Sequence, residues 1–146
     1  MKLDINLLKH KDLIQQKSVE GKQWLYDIIR KKYIVATPEE WVRQLLIHFL
    51  LSEKKMNKNK IAVEKQLIIN GMQKRFDLLV YNDLIQPHIL IECKAPSVLL
   101  NDDVFRQAAN YNIALRAPFL IITNGIETYH CAIDFDAERY IFLDRI

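Results

Sequence analysis

The chain is 146 residues long, half of them hydrophobic and 27% charged, with a formal net charge of +3. That length fits a single domain, 1–146, with a core of its own, and the mild positive charge permits an acidic partner such as nucleic acid without demanding one. No apolar run approaches the roughly 18 residues of a membrane span, and with glycine only at Gly21, Gly71 and Gly125 no phosphate-cradling P-loop exists, which excludes an ATPase motor of that type.

Residues 1–36 form an N-terminal extension without the apolar region of a signal peptide, so a cytoplasmic protein is expected. The aromatic run Trp24-Leu25-Tyr26, after Gly21, predicts a small hairpin here. Thr37-Pro38-Glu39-Glu40 then opens a helix: Thr37 caps, Pro38 takes the first position and Glu40 completes a capping box. This helix is expected to run to about Ser52 with an apolar stripe of Trp41, Val42, Leu45, Leu46, Phe49 and Leu50. A lysine- and asparagine-rich loop, 54–60, follows. Strands are predicted over 61–69 and 73–81, joined by the turn signal Asn70-Gly71, and over 88–94, stopped by Ala95-Pro96.

Asn101 caps a second helix to about Arg116, whose apolar face is Val104, Ala108, Tyr111 and Leu115. Short strands are expected over 119–122, 128–133 and 140–143. The crossover from strand 88–94 through this helix to strand 119–122 makes those two strands parallel neighbours. The predicted fold is α/β (α+β), a central mixed β-sheet flanked by helices.

The chemistry concentrates in Arg75-Phe76-Asp77 and Glu92-Cys93-Lys94. Asp77 sits in an apolar strand-like run, and Glu92 and Lys94 end another. Residues i and i+2 of a strand share a face, so Glu92 and Lys94 project together and Cys93 points away as an inert core thiol. Charged groups at the ends of buried strands are costly unless paired. Two carboxylates suit a hard divalent cation such as Mg²⁺, or Mn²⁺, with the Cys93 backbone carbonyl as a third ligand. Lys94 can orient a water or steady charge on a phosphate. Glu39 lies on the flank of the first helix's stripe and can reach the sheet, while Gln107 and Tyr111 lie one turn apart on one edge of the second helix. Cys93 and Cys131 form no CxxC, and the four histidines stand alone, which argues against zinc or a disulfide framework.

This ordered set resembles the PD-(D/E)xK nuclease superfamily. More closely, it is similar to the N-terminal nuclease domain of type I restriction enzyme R subunits. The matching segments are Thr37 to Gln44, Arg75-Phe76-Asp77, Ile91 to Pro96, Phe105-Arg106-Gln107 with Tyr111, and Thr123-Asn124-Gly125. Position 76 is Phe where the superfamily's name has Pro. The resemblance implies a restriction-endonuclease-like core and a Mg²⁺-dependent DNA nuclease. It implies Asp77 and Glu92 as metal ligands, Lys94 as the catalytic lysine, Glu39 as the first-helix acid, and Gln107 with Tyr111 as the second-helix motif. Those R subunits carry a motor on the same chain, so cleavage coupled to translocation would need a motor or methyltransferase partner. A homodimer would supply two sites for two strands.

Several residues keep two readings. Arg43, Arg75, Lys54, Lys55 and Lys58 are candidate nucleic-acid contacts; more simply, Arg43 pairs with Glu39, Arg75 is a solvated strand residue, and the lysines form a solvated loop. Arg30-Lys31-Lys32 has the same ambiguity, and Glu64 can pair with a nearby lysine. The function itself has two rivals: a module on the same fold that holds nucleic acid without cutting it, and an assembly subunit of a restriction-type complex.

Overall fold

The computed structural model describes residues 2–146. A 3₁₀ segment, Leu7–Leu13, leads into β1 (Gln16–Val19), β2 (Lys22–Asp27) and β3 (Lys32–Val35), an antiparallel sheet of order β1-β2-β3. The hairpin expected for this extension therefore has a third strand. Asp27 supplies the second turn: its Oδ1 accepts from the N–H groups of Ile29 (2.7 Å) and Arg30 (3.0 Å), a side-chain mimic of a backbone turn.

Helix α1 (Pro38–Ser52) begins where its cap predicts, with Thr37 Oγ1 accepting from the Glu40 N–H at 3.1 Å. The second half of the expected capping box is missing. The Thr37 N–H goes to the Val35 carbonyl, and the Glu40 carboxylate turns elsewhere. Every residue from Val42 to Leu50 is buried, the polar Arg43, Gln44 and His48 included. The apolar stripe faces the main sheet, and the N-terminal segment, through Leu7, Ile14 and Leu25, covers much of the rest.

The main sheet has the order β4-β5-β6-β7-β8-β9: β4 (Ile61–Ile69), β5 (Met72–Tyr81), β6 (Pro87–Cys93), β7 (Phe119–Thr123), β8 (Thr128–Asp134) and β9 (Arg139–Leu143). All neighbours are antiparallel except β6 and β7, which are parallel across the helix α2 (Asp102–Leu115), as the crossover predicts. Strand β6 is buried on both faces, which is why it reads as a continuous apolar run. Ile89, Ile91 and Cys93 join Leu78, Val80 and Ile121 in the core under α1; Leu90 joins Phe76, Leu120 and Ile122 under Phe105 and Ala108 of α2. The expected mixed sheet flanked by helices is thus present, with one core on each side.

The exit from α2 is fixed by one side chain. Arg116 takes the left-handed conformation (φ 57°) that ends many helices. Fully buried Asn112 then donates to the Ala117 carbonyl (2.7 Å) and accepts from its N–H (2.9 Å). Asn112→Ala strands both groups away from water. A loss of about 2–3 kcal/mol is expected, read as a lower urea midpoint at unchanged slope. No helix among the described residues is long and apolar enough to cross a membrane.

Candidate active site

Strands β5 and β6 pair with Leu79 opposite Leu90 and Leu78 opposite Ile91. The ladder ends at that last pair, and side-chain alternation breaks across Asp77, since Phe76 joins the core under α2 and Leu78 the core under α1. A side chain takes over from the backbone ladder here: Asp77 Oδ2 accepts from the Cys93 N–H at 2.8 Å. Cys93 is sealed in the core under α1, and Glu92 beside it is half-buried. Burial pushes the Cys93 thiol well above its ordinary value. β6 ends at Cys93, and Lys94, just beyond it, is half-buried. The Lys94 N–H extends the parallel pairing to the Thr123 carbonyl, at 2.8 Å.

The charges at this strand end act on one another. Burial raises the Glu92 carboxyl, and the nearby Asp77 carboxylate raises it further, to about 8. Lys94 pulls the other way, and Glu39 adds to the crowding. Glu39 is itself raised, by burial first and Asp77 second, against the opposing charges of Arg43 and Lys94. Asp77, Glu92, Lys94 and Glu39 are therefore one electrostatic unit, assembled from β5, β6 and the first turn of α1.

Three acids around Lys94 and Arg43 leave a negative excess, which favours a further cation among them. Among the described residues, no three His, Cys, Asp or Glu side chains form a ready-made metal cage. The Asp77 and Glu92 carboxylates do fit a hard cation that keeps several waters and takes its remaining ligands from a substrate phosphate. All-oxygen donors of this kind suit Mg²⁺ or Mn²⁺ rather than zinc.

Behind Asp77 lies a layer of paired charges, of which sequence reasoning offered only the Arg43–Glu39 pair. Arg43 is buried, and its Nη2 donates to Asp77 Oδ1 at 3.1 Å. Its Nη1 donates to Glu40 Oε1 (2.9 Å) and Glu64 Oε1 (3.3 Å), and Glu39 lies 3.7 Å from Nη2. Burial opposes the guanidinium charge, but Glu40 and then Asp77 outweigh it and raise the pKa of Arg43. Arg30 repeats the pattern, with Nε donating to Asp27 Oδ2 (2.6 Å), Nη2 to Glu40 (2.9 Å) and Nη1 to Glu64 (3.2 Å). Gln44 donates to both Asp27 and Glu40. Asp27 is fully buried; burial raises its carboxyl, but the hydrogen bonds and charge of Arg30, with help from Gln44, outweigh this and lower it. A continuous ion network therefore runs from β2 through α1 to Asp77.

This network corrects three readings. Arg43 is not a phosphate contact, because its guanidinium is buried and committed to carboxylates. Glu40 serves two arginines rather than the capping box. Glu64 pairs with those arginines rather than with a lysine. Glu64 is also left-handed (φ 51°) within β4, a conformation costing roughly 1–2 kcal/mol for such a residue. It stands across from Asp77 in the β4–β5 register, where strain of this kind often marks function. The detectable signal was the pairing of opposite charges three residues apart, at Asp27/Arg30 and Glu40/Arg43.

The remaining candidates lie farther out. Gln107 is exposed on α2, and Tyr111 packs on the α2 core with the Lys74 ammonium 5.0 Å from its ring centre. No hydrogen bond or ion pair among the described residues joins either one to Asp77, Glu92 or Lys94. Arg75 is exposed two residues before Asp77. Lys54, Lys55 and Lys58 are exposed beyond the far end of α1, roughly 20 Å from Glu39 at 1.5 Å per residue. A cleft of about 730 Å³ opens beside the site, bounded by Trp24, Tyr33, Glu39, Glu64 and Ala95.

Residues 38–146 match the family described as type I restriction enzyme R protein N terminus. The chain matches no curated protein.

Proposed function

The chain belongs to the type I restriction enzyme R protein N-terminal family, and from that premise we propose that it is a metal-dependent nuclease that hydrolyses DNA phosphodiester bonds. One observation carries the reading: at the strand end Asp77, held by Arg43 and the Cys93 N–H, acts with burial to raise the Glu92 carboxyl to about 8, and Lys94 opposes them. Asp77, Glu92 and the Cys93 carbonyl would hold Mg²⁺ or Mn²⁺. A bound ion of that kind makes its water acidic and takes up charge on a phosphate.

The protein's own groups do the rest. Lys94, two residues after Glu92, can donate to the attacking water or to a phosphate oxygen. Arg43 fixes one oxygen of Asp77 and the Cys93 N–H fixes the other, so that carboxylate stays put before substrate arrives. Glu39, half-exposed at the cleft, can accept a proton from water or steady a second ligand.

Plasmid nicking with Mg²⁺ tests this. Wild type is expected to nick, and Asp77→Ala and Lys94→Ala each to abolish it. Nicking that survives in both variants refutes the assignment. A second reading has one observation in its favour: Arg43 already neutralises Asp77, as a cation would. On that reading the fold holds nucleic acid or docks on a motor or methyltransferase partner without cutting. Gel shifts in EDTA, with no cleavage under Mg²⁺ or Mn²⁺, would favour it.

A further inference from the structure

The three-stranded sheet β1–β3 lies wholly outside the segment matched to the family, residues 38–146. Its two faces differ sharply. Leu25 and Asp27 point inward and are fully buried. Alternation then sends Trp24 and Tyr26 of β2 outward, beside Lys17 of β1 and Tyr33 of β3 in the register. These three aromatic residues are only half-buried. Tyr26 and Tyr33 meet edge to face at 5.2 Å. Lys17 holds its ammonium 4.1 Å from the Tyr33 ring centre, and Lys22 lies 5.9 Å from that of Trp24.

Trp24 and Tyr33 also form one wall of the 730 Å³ cleft, whose other side carries Glu39 and Ala95, the neighbour of Lys94. The volume lies within the roughly 300–1,000 Å³ of ordinary ligand sites. Aromatic faces interleaved with lysines are the chemistry that holds unpaired nucleotides: bases stack on the rings while ammonium groups meet the phosphates. A base inside a duplex has both faces covered by its neighbours and cannot use such rings. The cation–π contacts that now cover them are weak at an exposed site, so a base can displace the lysine onto its own phosphate.

We infer that the outer face of β1–β3 is a platform for single-stranded DNA, stacking unpaired bases on Trp24 and Tyr33 and leading the strand through the cleft to Asp77 and Glu92. The inference rests on the nuclease reading for what happens at the end of that path, but binding is separable from cutting.

The measurement is fluorescence anisotropy in EDTA, with a labelled single-stranded oligonucleotide and its duplex. Wild type is expected to prefer the single strand. Trp24→Ala with Tyr33→Ala is expected to lose about tenfold or more in single-strand affinity, while Trp24→Phe with Tyr33→Phe stays within about threefold. Lys17→Ala with Lys22→Ala should flatten the plot of log affinity against log salt by about 1.4. These lysines are exposed, so this pair decides the matter even if the alanine variants of the aromatics misfold. Unchanged affinity in a folded Trp24→Ala, Tyr33→Ala protein overturns the platform. So does an unchanged salt slope, or duplex bound as tightly as single strand. Binding in EDTA without cleavage in Mg²⁺ removes the nuclease reading and leaves the platform; cleavage without the aromatic dependence does the reverse.

Discussion

Replacing Arg43 by alanine is expected to destabilise the protein by about 3–5 kcal/mol, the range for breaking a buried ion pair by removing one partner. The loss exceeds that of any single contact because one guanidinium serves several acids. Without it, Glu40 keeps only Arg30 and Gln44, although it is 4% exposed. Asp77 keeps only the Cys93 N–H while lying close to Glu92. Both carboxylates must then take up protons or admit water. For a chain of this size the expected drop in Tm is on the order of 10 °C. Arg43→Lys restores the charge but not the planar fork that reaches Glu40 and Asp77 together, so it should fall between wild type and alanine. Urea unfolding at neutral pH distinguishes these cases. An Arg43→Ala protein within 1 kcal/mol of wild type would show that the network is solvated and that Asp77 needs no partner.

The same residue shows where sequence reasoning stops. The strands of the main sheet, both helices and the parallel crossover were legible because their signals are local: a Thr-Pro cap, an Asn-Gly turn and continuous apolar runs. That Asp77 and Glu92 belong to adjacent strands was legible too. What could not be read was the cover on α1. Arg43 and Gln44 lie off the apolar stripe, and a polar face normally means solvent. Only the packing of residues 3–36 over that face turns it into an interior, and nothing local announces such a long-range contact. Once α1 is covered, Asp27, Arg30, Glu40 and Glu64 must pair, because buried charges left alone are too costly. Gln107 and Tyr111 show a related limit. Their one-turn spacing is correct, but spacing alone does not say how far a helix edge lies from a strand end.

Glu92 gives the second large effect, through pH. Its carboxyl has an ordinary value of 4.5 and is raised to about 8 in the folded chain. Between these values the folded protein holds a proton that the unfolded chain has released, so stability falls as pH rises. The full contribution is present below 4.5 and gone above 8, at a slope of about 1.4 kcal/mol per pH unit within the window. Two buried histidines act oppositely: burial lowers His48 and His130 from 6.5, against the nearby Arg145 carbonyl in the case of His130, so their contribution grows up to about pH 6.5 and then levels off. Asp27, lowered from 3.8, matters only in acid. Glu39 is raised from 4.5 as well and adds to the fall, so between pH 6.5 and 8 the slope belongs to the acids of this strand end, with Glu92 the larger part. Glu92→Gln cannot ionise and should flatten it, making the variant more stable than wild type near pH 8.5 by several kcal/mol in EDTA. A divalent cation reverses the order, because it requires the ionised carboxylate. Its binding displaces one proton, so the apparent affinity of wild type for Mg²⁺ should rise about tenfold per pH unit up to 8, and Mg²⁺ should raise the Tm of wild type far more than that of Glu92→Gln. Parallel pH profiles for the two proteins in EDTA would mean that Glu92 is solvated and already charged. The crowding of acids that makes a cation welcome at this strand end would then be absent.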